Sequence, residues 1–456
     1  MSEIKFGTDG WRGIISKDYT FKNVKIISQA ISDLVGAGKS VAIGYDTRFM
    51  SKDYAKLSGS VLEANNIKVT ISKHHTPTPM LSYYVWHGKM AGGVMITASH
   101  NPYMYNGVKF KESLGCSSRP ETTKKIEEFL GKTYVKTGDG ALLEKNISAP
   151  YIKALKKYVI NKFMRRKPLK IVVDSMYGAG RHYLEDILKS YGHKVITIHG
   201  DPNPSFPGMN PEPIAVNMAE LSEKVKEFKA DIGIATDGDA DRVGIVDDKG
   251  NVLTPHYVLS LLLLHLKTSR GWSGAVVKTI SSTVLLNRIA QRYSIDVKET
   301  PVGFKHIAEL MLSDDILIGG EESGGNGFKN HIPERDGLMS GLLLVEMIGA
   351  RGKKLTKIVQ DMEKEFGAYK YKRIDLHVER ERIDRLFMML KENPPEEVAG
   401  KKIVDIKSYD GTKLIFENDS WLLIRASGTE PILRIYSEGK TRKEVEACIN
   451  AAKDMI

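Results

Sequence analysis

The chain has 456 residues, too many for one hydrophobic core, so its length predicts three or four domains. A composition of 41% hydrophobic and 27% charged residues excludes a disordered or low-complexity protein. The net charge of +11 suits either nucleic acid or small phosphorylated anions as partners and does not decide between them.

The apolar segments of the chain predict no membrane contact. Residues 1–7 lack the apolar stretch of a secretory signal. The longest apolar run, residues 258–266, is far shorter than the roughly 20 residues that span a bilayer, and it predicts a buried helix. The two cysteines, Cys116 and Cys448, match no metal or redox spacing. We therefore expect a cytoplasmic protein.

Strand-like apolar segments alternate with amphipathic helical stretches through most of the chain, which predicts α/β architecture. Buried strands are expected at residues 41–46, 170–174 and 231–235, and their recurrence indicates related α/β units. After about residue 368, strand-like segments dominate and a helix closes the chain from Thr441, which predicts a small α+β domain. The strands predicted there are residues 371–378, 402–408, 413–417, 421–425 and 432–437.

The densest basic stretch runs from Lys153 to Lys170. It has helical spacing before Pro168, and its only interleaved aromatic side chains are Tyr158 and Phe163. Charge runs of this kind are usually solvated, so we interpret it as a surface helix and linker. We expect no nucleic-acid partner, although this pattern alone leaves that alternative open.

Residues 93–102, Gly-Val-Met-Ile-Thr-Ala-Ser-His-Asn-Pro, run from a buried strand into a polar loop. Open α/β sheets present ligand groups at such strand ends, so we expect Ser99 to be exposed there. Asn106-Gly107 is a turn signal, and a reversal at that point would bring Lys109 back towards Ser99 as a cation or proton carrier. Adjacent Ser99 and His100 do not by themselves define a catalytic triad, so plain turn chemistry stays open.

Residues 236–242, Thr-Asp-Gly-Asp-Ala-Asp-Arg, directly follow the strand at 231–235. Their three carboxylates alternate with small residues, and in an extended loop they could converge on one cation. Oxygen ligands favour a hard ion such as Mg²⁺, and Arg242 alone cannot balance three anions. An EF-hand is excluded because its sixth position requires glycine and carries Arg242 here. The alternative interpretation is a polar surface turn.

Two further loops have polar groups suited to a sugar phosphate. Residues 425–431, with Arg434 on the following strand, combine arginine, hydroxyls and glycine as a phosphate cradle would, although a Ser/Gly turn explains them equally. In the Gly-rich segment 319–325, the alternating spacing of Glu321 and Ser323 predicts that both face the same way, towards sugar hydroxyls. On its own this segment is only a Gly-rich loop.

In this order the four motifs, preceded by residues 6–13, resemble the α-D-phosphohexomutase family over nearly the whole chain. The resemblance implies three similar α/β domains and a smaller α+β C-terminal domain around a central cleft. In this chain those domains are expected at residues 1–148, 149–250, 251–367 and 368–456. They would carry, in that order, the phosphoserine, metal-binding, sugar-binding and phosphate-binding loops.

The resemblance also implies a role for each matching residue. Ser99 is similar to the serine that carries the phosphoryl group, and the Mg²⁺ ligands would be Ser99, Asp237, Asp239 and Asp241. The groups around the transferring phosphoryl would be Arg12, His100, Arg242 and Lys109, the last as candidate acid/base. Those that bind substrate would be Lys278, Gly303, Glu321, Ser323, Arg425, Ser427, Gly428, Thr429 and Arg434.

Such an enzyme is an isomerase that interconverts hexose 1-phosphate and hexose 6-phosphate through the phosphoserine. The implied partners are small hexose phosphates, Mg²⁺ and a hexose 1,6-bisphosphate that serves as activator and intermediate, for a monomer or homodimer. At the middle of Gly-Glu-Glu-Ser-Gly this chain carries Glu322, as the glucose-handling members do, whereas the phosphoglucosamine branch has glutamine there. The expected substrate is therefore glucose 1-phosphate, with mannose 1-phosphate as the next choice. A metal-dependent phosphomonoesterase using the same serine is the competing enzyme class.

Overall fold

The computed structural model describes residues 4–7, 9–138, 140, 142–427 and 432–456. Within these residues the chain forms three mixed α/β sheets and one antiparallel sheet. This architecture confirms the predicted fold class of three similar α/β units and a smaller α+β C-terminal domain. The division of the chain at residues 148, 250 and 367 stays a prediction.

The first unit contains a sheet with the strand order β1-β5-β4-β2-β3-β6. Its strands are β1 (Trp11–Ile14), β2 (Ser40–Tyr45), β3 (Lys68–Ser72), β4 (Gly92–Ile96), β5 (Tyr105–Glu112) and β6 (Leu143–Lys145). Its helices are α1 (Phe21–Val35), α2 (Ser51–Ala64), α3 (Thr78–His87) and α4 (Pro120–Phe129).

The second unit has the strand order β11-β10-β9-β7-β8. Its strands are β7 (Lys170–Asp174), β8 (Lys194–Ile198), β9 (Ile232–Thr236), β10 (Val243–Asp247) and β11 (Val252–Leu253). Its helices are α5 (Ser148–Tyr158), α6 (Asn161–Met164), α7 (Tyr183–Lys189) and α8 (Ala219–Phe228).

The third unit has the strand order β13-β12-β14-β15. Its strands are β12 (Ala275–Thr279), β13 (Val297–Thr300), β14 (Ile316–Gly320) and β15 (Asn326–Phe328). Its helices are α9 (Pro255–Thr268), α10 (Leu285–Tyr293), α11 (Phe304–Ser313), α12 (Gly337–Arg351) and α13 (Leu355–Phe366).

The C-terminal domain is antiparallel throughout, in the order β16-β21-β20-β19-β18-β17. Its strands are β16 (Lys370–His377), β17 (Glu397–Val398), β18 (Lys401–Lys407), β19 (Thr412–Phe416), β20 (Trp421–Ala426) and β21 (Ile432–Gly439). Its helices are α14 (Arg380–Glu392) and α15 (Arg442–Asp454). The five predicted strands and the closing helix are present, and α14 is an element that the sequence pattern did not indicate.

Each α/β unit places one loop at the same point of its sheet. A central strand is followed by an antiparallel partner, as β4 is by β5, β9 by β10 and β14 by β15. The loops between these pairs are residues 97–104, 237–242 and 321–325. Three of the four predicted motifs therefore occupy equivalent loops.

Asn106-Gly107 does not form the predicted turn, because both residues lie inside β5 and the chain reverses in the loop before it. Asn106 Nδ2 donates to Ser51 Oγ at 3.0 Å. A Cβ on Gly107 would lie 2.6 Å from the carbonyl oxygens of Thr97 and Trp11, one on either side of the strand. Glycine is required here by close approach of neighbouring backbone rather than by a turn.

One continuous hydrophobic core joins the three α/β units, and α9 and α12 are buried along most of their length. The burial of α9 confirms the predicted buried helix at residues 258–266. The C-terminal domain has a core of its own and meets the third unit through a small cluster of Ile280, Trp421, Leu423 and Tyr436.

The basic stretch forms α5, α6 and the segment before β7, and most of its charged side chains are exposed, as predicted. Within the described ranges, every helix is too short or too polar to span a lipid bilayer.

Candidate active site

Ser99 is held in a strained backbone conformation in the loop between β4 and β5. Its φ is 52°, in the left-handed region that residues other than glycine seldom adopt. The Ser99 amide donates to Thr97 Oγ1 at 2.9 Å, and Arg48 Nη2 donates to the Ser99 carbonyl at 2.7 Å. Strain of this kind persists only where surrounding bonds impose it, so the hydroxyl is positioned before any substrate arrives.

Ser99 is only 1% exposed, so the predicted exposure is wrong. The equivalent loop of the second unit covers it. Ser99 Oγ donates to Asp237 Oδ2 at 2.9 Å, and Gly238 lies so close to the Ser99 carbonyl that any side chain there would overlap it. Two units therefore meet at this serine, which the pattern of one strand end could not indicate.

Asp237, Asp239 and Asp241 are buried and converge, each with a carboxylate oxygen within 4.8 Å of the others. The segment is a tight turn rather than the extended loop expected, since the Ala240 amide donates to the Asp237 carbonyl at 3.0 Å. Among the described residues, Asp239 Oδ1 and Asp241 Oδ1 have no hydrogen-bond partner. Converging, unsatisfied carboxylate oxygens fit a hard divalent cation.

The three carboxylates differ in their electrostatic balance. Burial, together with Asp241 and Asp239, raises the pKa of Asp237 well above its usual range. Burial would also raise the pKa of Asp239, but Lys109 and a hydrogen bond from Thr78 outweigh it and lower that pKa. At Asp237 the lowering of the pKa by Arg242 is smaller than the raising by burial and the two carboxylates, a balance that a bound cation would shift towards the charged carboxylate.

Lys109 lies within this group of carboxylates. Its Nζ is 2.8 Å from Asp9 Oδ2, 2.8 Å from Asp239 Oδ2 and 3.4 Å from Asp241 Oδ2. Burial lowers the pKa of Lys109, but the three carboxylates outweigh it and raise the pKa, so the ammonium stays charged at neutral pH. The prediction placed Lys109 near Ser99. In the structure Lys109 bonds to Asp9, Asp239 and Asp241, whereas Ser99 Oγ donates to Asp237, a different carboxylate of the same turn.

The remaining predicted catalytic groups surround the serine. Arg12 donates to the side chain of Asn101 in the serine loop, and Arg242 closes the carboxylate turn. His100 Nδ1 lies 3.4 Å from Ser99 Oγ. Burial, with Arg242 and Arg12 nearby, holds the pKa of His100 well below its usual value, so its imidazole is neutral. The structure thus brings these groups of the first two units together.

The segment with Glu321 and Ser323 is also a turn, because the Gly324 amide donates to the Glu321 carbonyl at 3.2 Å. The argument from alternating spacing is therefore wrong, since side chains alternate only in an extended strand. Burial raises the pKa of Glu321 to about 7. Ser323 Oγ is buried and has no hydrogen-bond partner among the described residues. Both side chains keep polar groups that a sugar hydroxyl could use.

Arg335 is the main residue of this region that the sequence analysis missed. Its Nη2 lies 2.7 Å from both Asp9 Oδ2 and Asp241 Oδ2, and its Nη1 lies 3.6 Å from Glu321 Oε2. It therefore connects the carboxylate loop of the second unit to the Glu321 loop of the third. The only local signal is a charged triplet, residues 334–336, next to the apolar sequence of α12.

The predicted phosphate cradle lies on the hairpin of β20 and β21. Arg425 and Arg434 are directly opposite each other in this ladder, which concentrates positive charge on adjacent strands. Arg425 Nε donates to Asp410 Oδ1 at 2.8 Å. Ser427 is buried at the end of β20. Gly428 and Thr429, also predicted for this cradle, lie outside the described residues.

Lys278 and Gly303 lie where the third unit meets the C-terminal domain. Lys278 Nζ donates to the Thr283 carbonyl at 3.1 Å and lies 3.4 Å from Glu299. Burial lowers the pKa of Lys278 despite this carboxylate. Gly303 caps the N-terminus of α11 with a φ of 130°. Both residues are held by the protein itself, so any contact with a sugar stays a prediction.

The chain matches four domain families, described as alpha/beta/alpha domains I, II and III and the C-terminal domain of phosphoglucomutase/phosphomannomutase. The matches cover residues 3–135, 149–250, 254–366 and 382–454, in that order. The chain belongs to the α-D-phosphohexomutase family. It is therefore an enzyme that transfers a phosphoryl group within a sugar phosphate, a phosphohexomutase.

Relatives that match this chain over nearly their full length are named for different sugar substrates. The "Phosphoglucomutase/phosphomannomutase" of Thermococcus kodakarensis is 36% identical over 451 residues, covering 96% of this chain and 95% of that protein. The "Probable phosphoglucosamine mutase" of Methanosphaera stadtmanae is 34% identical, with 99% and 98% covered. The crystal structure of a "putative phosphomannomutase" from Thermus thermophilus has a TM-score of 0.90 and 36% identity, with 100% and 99% covered. These relatives agree on the family and disagree on the sugar.

Proposed function

We propose that this protein interconverts glucose 1-phosphate and glucose 6-phosphate through a phosphoserine at Ser99 and a glucose 1,6-bisphosphate intermediate. The observation that carries the proposal is the position of Ser99 Oγ, buried and 2.9 Å from Asp237 Oδ2 beside the converging carboxylates. A serine that stores a phosphoryl group needs a nearby cation site and protection from water, and both meet at this atom.

We place Mg²⁺ on Asp237, Asp239 and Asp241, together with the phosphate on Ser99. One oxygen each of Asp239 and Asp241 has no partner in the described part of the chain, which supports this assignment. When bound, Mg²⁺ would neutralise charge on the oxygens of the transferring phosphoryl group. Two cationic side chains orient these carboxylates: Lys109 bonds to Asp239 Oδ2, and Arg335 pairs with Asp241 Oδ2.

In the first transfer, a sugar hydroxyl attacks the phosphorus of phospho-Ser99 and passes its proton to a base, while the bond from phosphorus to Oγ breaks and Oγ takes up a proton to become the serine hydroxyl. The bisphosphate then reverses its orientation, and its other phosphate returns a phosphoryl group to Ser99. Glu321 is suited to accept or release a proton near neutral pH, because its pKa is about 7. Charged Lys109 balances negative charge, and Arg425 with Arg434 would hold the phosphate that is not transferred.

Glucose is our first choice of sugar because Glu322 lies at the position where the glucose-handling members carry glutamate. Its Oε2 accepts a hydrogen bond from Ser281 Oγ at 2.7 Å, which fixes this carboxylate against the loop after β12 of the same unit. Glucosamine is the second candidate, supported by the name of the 34% identical relative. Mannose is the third. A cytoplasmic location and a monomer or homodimer stay predictions.

The decisive variant is Ser99→Ala. Mutase turnover should fall about 10³-fold or more, because the phosphoryl carrier is lost while the fold is kept. The matched control is Ser118→Ala, which removes another buried hydroxyl of the first unit, bonded to the Phe110 carbonyl at 2.7 Å, and should keep its activity. Peptide mapping of wild type after incubation with glucose 1,6-bisphosphate should place one phosphate on Ser99. Full activity of Ser99→Ala, or an unmodified Ser99, would refute the mechanism.

A coupled assay with glucose, mannose and glucosamine 1-phosphates, each with a trace of the matching bisphosphate, tests the sugar. The expected order of kcat/KM is glucose first. A higher kcat/KM for glucosamine 1-phosphate would make glucosamine the preferred sugar and would leave the proposed mechanism unchanged. Release of inorganic phosphate in step with substrate loss, without a need for bisphosphate, would instead indicate the phosphomonoesterase.

A further inference from the structure

Asp410 connects strand β20 of the C-terminal domain with the loop before α11 of the third unit. It lies in the turn between β18 and β19, and its side chain is largely buried. Its Oδ1 accepts a hydrogen bond from Arg425 Nε at 2.8 Å, and its Oδ2 accepts one from the Val302 amide at 2.7 Å. Each carboxylate oxygen therefore has one partner: Oδ1 bonds to strand β20 of the C-terminal domain and Oδ2 to the loop before α11 of the third unit.

On the side of Arg425, the turn is pressed against β20. Gly411 has a φ of 86°, and a Cβ there would lie 3.0 Å from both Cα and Cβ of Arg425. Among the described residues, the Arg425 side chain has no bond other than the one to Asp410. One bond to Nε fixes the plane of the guanidinium and leaves its two terminal nitrogens for an anion.

On the side of Val302, the bond depends on contact between the C-terminal domain and the third unit. Val302 precedes Gly303, the residue that caps α11. The turn that carries Asp410 is also held against the third unit, because Lys407 Nζ and Tyr409 Oη each lie 2.8 Å from Glu299 Oε1. The Val302 amide can reach Asp410 only while this contact is formed.

We propose that Asp410 is a positioning residue that couples docking of the C-terminal domain on the third unit to the orientation of Arg425. The inference rests on the proposed function, in which Arg425 holds the phosphate that is not transferred. In the docked state the Val302 amide occupies Oδ2, so Asp410 takes only Nε of the arginine. When the domains separate, Oδ2 is released and can pair with a second guanidinium nitrogen, which withdraws that nitrogen from the phosphate.

The test is the kinetics of Asp410→Asn with glucose 1-phosphate. KM should rise about tenfold, while kcat changes less than about threefold, because the affected phosphate is held equally before and during transfer. The matched control is Asp419→Asn. Asp419 also lies in a turn of the C-terminal sheet and pairs with Arg288 of the third unit, without a bond to Arg425. Its KM should not change.

A double-mutant cycle separates positioning from a merely structural role. Arg425→Ala should raise KM by itself, and adding Asp410→Asn should raise it no further, because Asp410 acts through the arginine. Independent, multiplying effects would overturn the inference, as would an unchanged KM in Asp410→Asn. If Asp410→Asn folds poorly, Asp410→Glu keeps the charge but displaces the carboxylate, and an unchanged KM there would overturn it equally. An unchanged KM in Arg425→Ala would instead refute the cradle of the proposed function.

Discussion

Two groups of buried lysines have opposite electrostatic environments in this protein. In the active site, Lys109 has three carboxylates within 3.4 Å, and they outweigh the effect of burial and raise its pKa. At the contact between the third unit and the C-terminal domain, Lys278 and Lys413 share Glu299, at 3.4 and 3.9 Å. Burial lowers the pKa of both, that of Lys413 to about 7.

The difference shows that burial does not decide the charge of a lysine; the carboxylates around it do. In the candidate active site three carboxylates lie around Lys109 and keep it charged, even though Arg335 also pairs with two of them, Asp9 and Asp241. At the domain contact Glu299 is shared among Lys278, Lys413 and Lys407 and does not outweigh burial, so the pKa of Lys413 falls to about 7. Three predictions test this contrast.

The largest effect is expected for Asp239→Asn, which removes the carboxylate that raises the pKa of Lys109 most. We expect kcat to fall about 100-fold or more, because a proposed cation ligand and the main partner of Lys109 are lost together. Mg²⁺ should raise the thermal midpoint of wild type and not that of the variant, since only a bound ligand stabilises the native state. The control is Asp201→Asn, an exposed aspartate of the second unit. A normal Mg²⁺ shift in Asp239→Asn would contradict the metal assignment.

An intermediate effect is expected for Glu299→Gln, which leaves two buried lysines without their shared carboxylate. Removing one partner of a buried ion pair is strongly destabilising, so the domain contact should open more often. Hydrogen exchange of peptides that include Val302 should become about tenfold faster or more, because its amide loses protection when the contact opens. The control is Glu309→Gln, a partly exposed glutamate on the nearby α11. Equal exchange in both variants would contradict this account of the contact.

The smallest effect is the pH dependence caused by Lys413. Its pKa of about 7 in the folded protein lies below the value of about 10.4 for a free lysine. Below pH 7 both states carry the proton, whereas between about pH 7 and pH 10 the unfolded state binds more protons, so stability rises with pH in that window, by at most about 1.4 kcal/mol per pH unit.

The measurement is the thermal midpoint of wild type and Lys413→Met between pH 7 and pH 9. The wild-type midpoint should rise relative to that of the variant as the pH increases. The ring of Trp421, 4.2 Å from Nζ, stabilises the ammonium and makes the rise smaller. Parallel curves would show that Lys413 does not titrate in this range.

Local patterns predicted the motifs well and their environments less well. The three aspartates were found because one turn carries them all, so their convergence depends on a few neighbouring residues. The role of Ser99 stays a prediction, and its burial was missed, because the cover comes from Gly238 on another unit. At Asn106-Gly107 the local turn preference was overridden by the close approach of neighbouring backbone.

The sequence by itself determined the α/β fold class, the family resemblance and the contiguous loops with Ser99 and the aspartates, because those features follow from short-range spacing. Only the tertiary structure decided the partners of the buried charges. Arg335 bonds to Asp9 across 326 positions of the chain, and Asp410 reaches Val302 across 108. Spacing cannot reveal such pairs, because the electrostatic state of a buried group depends on which distant charges the completed fold brings beside it.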